Sequence, residues 1–363
     1  MDDRDKQLLV FLQNGIPVEK RPFEGFARRL GLDIAETLLR IGRLKSSGRI
    51  TDIRGIFDSK SMGYKSSLVA MKSDARETER QVSLLEEHPG VYGIHLREHD
   101  LNLWFTLALP PEASLEHHVG RLQDLMQSPC ALLLPVIRIF KPGQHELPRP
   151  EAEEKHFKRN PANDDLYRED GRFSVEELGV IRLLQQTFPL TDEPFRRMAA
   201  ELELDEERVF TIVRSLFSKG HLRSLGAVIE SSKVQDPHHM MVLWALPAEK
   251  LEHAGRQIAR MDFVKHCASR LSYPHFPYSL YVTLRSASFR EASEHSEAIE
   301  RLIGPWPRIY LPVTQICSRK RICYFSNELG DWWNRTGRQT VDQEDRTEFI
   351  QHISPHHSKN GLT

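Results

Sequence analysis

Residues 23–50, FEGFARRLGLDIAETLLRIGRLKSSGRI, return as residues 195–222, FRRMAAELELDEERVFTIVRSLFSKGHL. The offset is 172 residues, from Gly48 to Gly220, and apolar character survives it while most surface residues change. Phe23, Phe26, Ala27 and Leu30 fall on Phe195, Met198, Ala199 and Leu202. Leu38, Ile41 and Leu44 fall on Phe210, Val213 and Leu216, and upstream Leu8, Leu9, Phe11 and Leu12 fall on Val180, Ile181, Leu183 and Leu184. A core pattern kept at a fixed offset is the mark of a duplicated folding unit. Each copy reads as three short helices. Asp33 and Asp205 stand where an acid caps or opens the third helix, and Gly48 and Gly220 where that helix stops. The segments Ile50–Asp58 and Leu222–Glu230 then alternate as strands and predict the wing of a winged helix-turn-helix.

Beyond each wing the pattern reads strand–helix–strand–strand–helix–strand. In the first copy these are Ser67–Met71, Ala75–Glu87, the hairpin Val91–Leu96 with Leu101–Leu109, Leu115–Met126 and Leu132–Phe140. Val264 follows Val91 at an offset of 173, whereas Thr283 and Leu284 follow Thr106 and Leu107 at 177. The second hairpin loop has therefore gained about four residues, around Tyr273-Pro274-His275-Phe276-Pro277. Leu134-Pro135-Val136 returns as Leu311-Pro312-Val313. The expected fold is α+β: a tandem duplication of helix-turn-helix and ferredoxin-like βαββαβ halves about a pseudo-two-fold axis. The boundaries are 1–58 and 59–141 for the first copy, 142–171 for a charged, proline-rich linker, 172–230 and 231–329 for the second copy, and 330–363 for a flexible polar tail. The tail histidines His352, His356 and His357 read as a solvated end.

The chain of 363 residues carries 50 basic and 51 acidic side chains. The near-neutral total lacks the basic excess on which duplex binding usually rests. No apolar run reaches the roughly 18–20 residues of a spanning helix. The acidic start Met1-Asp2-Asp3-Arg4-Asp5 is unlike a secretory signal. Cys130, Cys267, Cys317 and Cys323 are scattered, which argues against a disulfide framework or an iron–sulfur site. A cytoplasmic, membrane-free protein is expected.

A helix-turn-helix unit followed by a ferredoxin-like half resembles the Lrp/AsnC regulators. Two stretches, Gly63-Tyr64-Lys65-Ser66-Ser67-Leu68-Val69-Ala70-Met71 and Arg97-Glu98-His99-Asp100-Leu101-Asn102-Leu103-Trp104-Phe105-Thr106-Leu107, resemble the siroheme decarboxylase branch of that superfamily. In the second copy, His266-Cys267 with Arg270, then Pro274, Pro277-Tyr278 and Leu280, is similar to the partner subunit's hairpin. The sequence thus looks like a fused form of two related subunits. It departs from the family where Gly93-Ile94-His95 stands for His-Asn-Tyr, Ala268 for a tyrosine and Ser279 for an asparagine.

The resemblance implies removal of carboxyl groups from ring acetates of siroheme, on routes to haem or d1-type haem. No cofactor is implied beyond the iron of the substrate, and partners are limited to siroheme, its products, the paired halves and a possible homo-oligomer. Such chemistry needs planar cations for the carboxylates. Arg97 and Arg270 occupy matching hairpin positions, and Lys65 and Arg138 lie on strands expected to flank the slot. It also needs a proton source, for which His95, His99 and His266 are candidates. His95 and His99 are both odd-numbered, so a continuous strand would place them on one face, and His266 is the candidate axial ligand to the substrate iron. Tyr64, Trp104, Tyr278 and Phe276 could wall the macrocycle, with Asn102 in the hairpin motif.

The bland alternative for each is exposed edge charge, structural histidine or core filler. Two other functions stay open: a ligand-responsive DNA-binding regulator and a haem sensor without turnover. The third helices offer Asp33, Ala35 and Glu36, and Asp205, Glu206, Glu207 and Arg208, where a recognition helix needs donors for phosphates and bases. DNA is therefore not the expected partner.

Overall fold

The computed structural model describes residues 1–142, 173–229, 239–318 and 320–337. The linker and the tail histidines lie outside these residues. The first helical unit comprises α1 (Asp3–Asn14), α2 (Glu24–Leu30) and α3 (Ile34–Ser46), followed by β1 (Asp52–Phe57). The first α/β half follows as β2 (Lys65–Met71), α4 (Thr78–Glu87), β3 (Val91–Arg97), β4 (Leu103–Leu109), α5 (Leu115–Met126) and β5 (Ala131–Lys141). The second copy runs α6 (Val175–Leu184), α7 (Pro194–Glu201), α8 (Glu206–Ser218), β6 (Leu222–Val228), β7 (His239–Trp244), α9 (Ala248–Ile258), β8 (Val264–Arg270), β9 (Leu280–Arg285) and α10 (Phe289–Ile303). It ends in β10 (Arg308–Leu311), β11 (Val313–Ser318) and α11 (Glu328–Gly337).

Asp33 and Asp205 cap α3 and α8, each accepting a backbone N–H three residues on. The helical units share one core, in which Leu8, Phe23 and Ile41 meet Val180, Phe195 and Val213. Each wing is a single strand, and the two wings pair with each other, Asp52 opposite Val228. Gly226 is required there, since a Cβ would stand 2.3 Å from the Leu12 carbonyl oxygen.

The other strands form one sheet in the order β10-β7-β9-β8-β5-β2-β4-β3-β11. Only Pro312 separates β10 from β11, so the two ends of that order meet and the sheet closes on itself. β5 makes the equivalent passage at Pro135: Ala131–Pro135 pair with β2, and Val136–Lys141 with β8. A proline lacks the N–H that would continue the first ladder. The pseudo-dyad is explicit in the register, Val136 opposite Arg270 and Val313 opposite Arg97. Helices α4 and α5 cover the outer face of one half and α9 and α10 that of the other. The inner faces meet in a cluster of Ala70, Trp104, Leu134, Leu243, Phe276, Tyr281 and Leu311.

The tail expected from residue 330 instead begins as α11. The chain after β11 turns back over the first half, where Phe325 N–H donates to Tyr64 Oη at 2.6 Å and Arg182 Nε to the Phe325 carbonyl at 2.8 Å. Trp332 is buried against His88 and His118.

Candidate active site

Arg97 ends β3 and Arg270 ends β8, and their bonding is the same on the two sides of the dyad. Arg97 Nη1 donates to Leu311 O at 2.6 Å, and Arg270 Nη1 to Leu134 O at 2.7 Å. Each acceptor is the residue before the proline at which a strand changes halves. The Arg97 guanidinium lies 6.0 Å from the Trp104 ring centre, and that of Arg270 5.5 Å from Tyr281. Both residues are half-buried, keeping some accessible surface although protein atoms surround them closely. Neither Nε finds a hydrogen-bond partner among the described residues. Among the described residues, no carboxylate lies within ion-pair distance of either guanidinium.

Burial pushes both guanidiniums down to about 10, with Tyr281 and Tyr92 partly offsetting the fall at Arg270. Both remain cations at neutral pH. A buried charge without a counterion is costly, and such a pair is a site for anions.

His95 and His266 join these arginines on the inner face. His95 stands opposite Trp104 and next to Ile316, and its Nδ1 lies 2.7 Å from Gly93 O. His266, opposite Thr283, is pushed down to about 4 by burial and by the Arg270 charge, which leaves it a neutral imidazole. Ile139 pairs with Ala268 on the same face and is 54% exposed; Ile316, its counterpart, is 45% exposed. Exposed apolar side chains thus share a sheet face with two cations and two imidazoles, the mixed lining that binding sites for amphiphilic ligands use.

The other sequence candidates are distributed differently. His99 is not on the face of His95, because β3 stops at Arg97 and His99 lies in the turn, edge-on to Phe276. Burial lowers its pKa, and its Nδ1 accepts from Leu101 N–H. Asn102 is fully engaged, accepting from Ser73 N–H and donating to Ser73 O. Trp104 is buried in the inner core with Nε1 donating to Leu101 O. Tyr278 packs on Phe276 at the edge of that core. Tyr64 anchors Phe325, and Lys65 is exposed at the start of β2. Arg138 turns outward, to Glu252 of α9 at 2.7 Å, because β5 has changed partner strand by that point. The sequence reading missed Tyr92, Ile139, Ile316 and Tyr281; only strand alternation combined with the correct register would have found them.

The histidines His88 and His118 form a separate buried pair under α11, Nε2 to Nδ1 at 2.8 Å. Gly90 N–H donates to His88 Nδ1, so His88 Nε2 carries the proton between them. No group of three or more potential metal ligands occurs among the described residues.

Two family profiles divide the chain as the fold does. The AsnC-like ligand binding domain matches residues 61–141 and 237–316, and the siroheme decarboxylase NirDL-like HTH domain matches 5–50 and 178–223. A siroheme decarboxylase of Hydrogenobacter thermophilus is 30% identical over 339 residues, 92% of this chain and 98% of its own. A siroheme decarboxylase NirDL subunit of Paracoccus denitrificans is 28% identical over 81% of this chain and 88% of its own. The crystal structure of a siroheme decarboxylase NirDL in complex with an iron-uroporphyrin III analogue superposes with a TM-score of 0.73 at 28% identity, covering 93% of this chain and 99% of that one. With its duplicated architecture and both halves matched end to end, this chain belongs to the siroheme decarboxylase family.

Proposed function

We propose that this protein is a siroheme decarboxylase, a cytoplasmic carboxy-lyase that converts ring acetates of siroheme to methyl groups and yields didecarboxysiroheme on a route to haem or d1-type haem. The observation that carries this reading is the pair of half-buried guanidiniums, without a counterion among the described residues, set about a pseudo-dyad on the inner face of the sheet. Siroheme presents a flat apolar face edged by carboxylates, which is the complement of that arrangement.

In each turnover the bond between the acetate methylene and its carboxylate breaks, CO₂ leaves, and the electron pair passes into the conjugated macrocycle. A proton then replaces the carboxyl group at the methylene carbon. A guanidinium clamped on the departing carboxylate would stabilise the ground state more than the transition state, where that negative charge is leaving. Arg97 and Arg270 are therefore assigned to carboxylates that stay, fixing the macrocycle in register. The reacting acetate lies against the apolar wall, beside an imidazole. Binding a polyanion raises the pKa of His266 from its depressed value and equips it to deliver a proton. His95 lies two residues before Arg97 in the first half, opposite Trp104, where the second half has Ala268 opposite Tyr281.

The helical units act as scaffold in this reading. The first turn of α8 carries Glu206 and Glu207, and Arg208 is held by Glu176. On the first copy Arg40 is drawn to Asp2 and Asp5. Neither third helix offers phosphate free cations at its start.

Anaerobic incubation with siroheme tests the assignment. The expected result is loss of mass in steps of one CO₂, ending after two; siroheme that binds and stays intact would refute it.

A further inference from the structure

The strands carrying His95 and His266 do not insert their extra residue at the same place. In β8 the register shifts between Val264, opposite Leu284, and His266, opposite Thr283. In β3, Val91 stands opposite Leu107 and Tyr92 opposite Thr106, and the shift comes after Tyr92. Gly93 lies within that shift at a φ of +62°, the left-handed conformation that glycine adopts without penalty. Leu107 and Leu284, and Thr106 and Thr283, are counterparts of the duplication. The residue facing the shared threonine is therefore Tyr92 in one half and His266 in the other. By sequence offset His266 aligns with Gly93; in space it corresponds to Tyr92.

The bulge has a second consequence. Tyr92 and His95 are three apart and would point to opposite faces of a regular strand. They stand opposite Thr106 and Trp104, which are two apart on β4, so both face inward. The Tyr92 ring packs against the core of the helical units, and its hydroxyl has the Thr106 side chain as hydrogen-bond partner. The charge of Arg270 from the other half acts on it electrostatically, opposing the rise in its pKa. Arg270 also acts on His266. One guanidinium thus acts on a proton-bearing side chain from each half.

We propose that Tyr92 is a further catalytic residue, whose phenol meets the acetate-bearing edge of the substrate beside Arg270 and donates the proton that replaces a departing carboxyl group. This rests on the decarboxylase reading above. The phenolic O–H bond breaks as the new C–H bond forms, and the phenolate recovers its proton from water. Burial pushes the phenol up to about 12, so the proton is in place at neutral pH, where His266 without substrate carries only a neutral ring.

The test is Tyr92→Phe, which keeps the ring and removes the hydroxyl. Siroheme affinity should change by no more than about two-fold, while turnover falls by roughly 100-fold or more, the usual contribution of a positioned general acid. Monodecarboxylated siroheme should accumulate if the phenol serves one acetate and His266 the other. Tyr92→His, which installs the counterpart's imidazole, should recover part of the rate. Full turnover by Tyr92→Phe would overturn the proposal, as would a loss confined to affinity. Failure of the decarboxylase reading would look different, since the unaltered protein itself would then leave bound siroheme intact.

Discussion

Replacing Arg270 by leucine separates a guanidinium kept for a ligand from one that holds the fold together. In the ligand-free protein the guanidinium is displaced from its ordinary 12.5 to about 10. At about 1.4 kcal/mol per pH unit, that displacement corresponds to a cost of roughly 3 kcal/mol for keeping the charge in place. Water reaching the half-buried side chain screens part of it. Against this stand the bond to Leu134 O, about 1.5–3 kcal/mol for a charged donor, and the contact with Tyr281, about 1 kcal/mol. The terms nearly cancel, so Arg270→Leu should unfold in urea within about 2 kcal/mol of the parent. Breaking a buried ion pair would cost about 3–5 kcal/mol instead. Siroheme binding should respond quite differently, because loss of one buried carboxylate contact costs at least about 2 kcal/mol, or roughly thirty-fold in affinity. Urea titration without ligand and anaerobic siroheme titration on the same preparations give both numbers, and Arg97→Leu should behave alike. A variant that loses more than about 3 kcal/mol of stability, or binds siroheme unchanged, would refute the reasoning.

Two further outcomes follow from features outside the arginine pair. Burial holds His118 down at about 4 and His88 below its ordinary range, so both are neutral in the fold, whereas the unfolded chain protonates them near 6.5. Their contribution to stability is complete above 6.5 and is lost as pH falls from there toward 4; fluorescence of Trp332 and Trp333, which pack on His118, should report α11 loosening in that window. An unchanged signal down to pH 4 would show that the pair stays neutral for another reason. Gly93→Ala places a Cβ at a φ of +62° and should cost about 1–2 kcal/mol in urea unfolding. Its effect on turnover should exceed that on stability, because it disturbs the bulge that turns Tyr92 and His95 inward; equal activity would remove the bulge from the argument.

Local patterns were legible because each is decided within a few residues. The helix expected over Leu115–Met126 occurs with those limits, and the caps at Asp33 and Asp205 form as read. Duplicated core positions announced two copies, since a buried apolar side chain has few substitutes. Strand facing was harder. Arg138 looked like a wall of the slot and instead meets α9, and His99 looked coplanar with His95 and instead sits in the turn. Both depend on where a strand ends or changes partner, and β5 changes partner at Pro135 to a strand more than a hundred residues away. The pairing of one wing with the other is not legible in the sequence, because nothing in either strand names the other copy as its partner. Trp332 escaped for a related reason: a lone aromatic pair in a polar tail gives no periodicity, and its burial comes from the distant His88 and His118.

The same dependence on distant partners explains why fusion of two halves matters for this site. A homodimer repeats every inward residue across its axis, so it offers a substrate the same group twice. Siroheme has no two-fold symmetry, and its acetates are not equivalent. Here the anchoring groups kept the dyad: Arg97 and Arg270 make matching bonds to Leu311 O and Leu134 O. The proton-bearing groups did not keep it. A bulge displaced by one residue sets Tyr92 facing Thr106 where His266 faces Thr283, and Trp104 underlies one arginine where Tyr281 underlies the other. Under the proposed assignment, a pair of arginines that bond alike, on a frame where Tyr92 faces one threonine and His266 the other, is the arrangement expected of two successive decarboxylations on one asymmetric molecule.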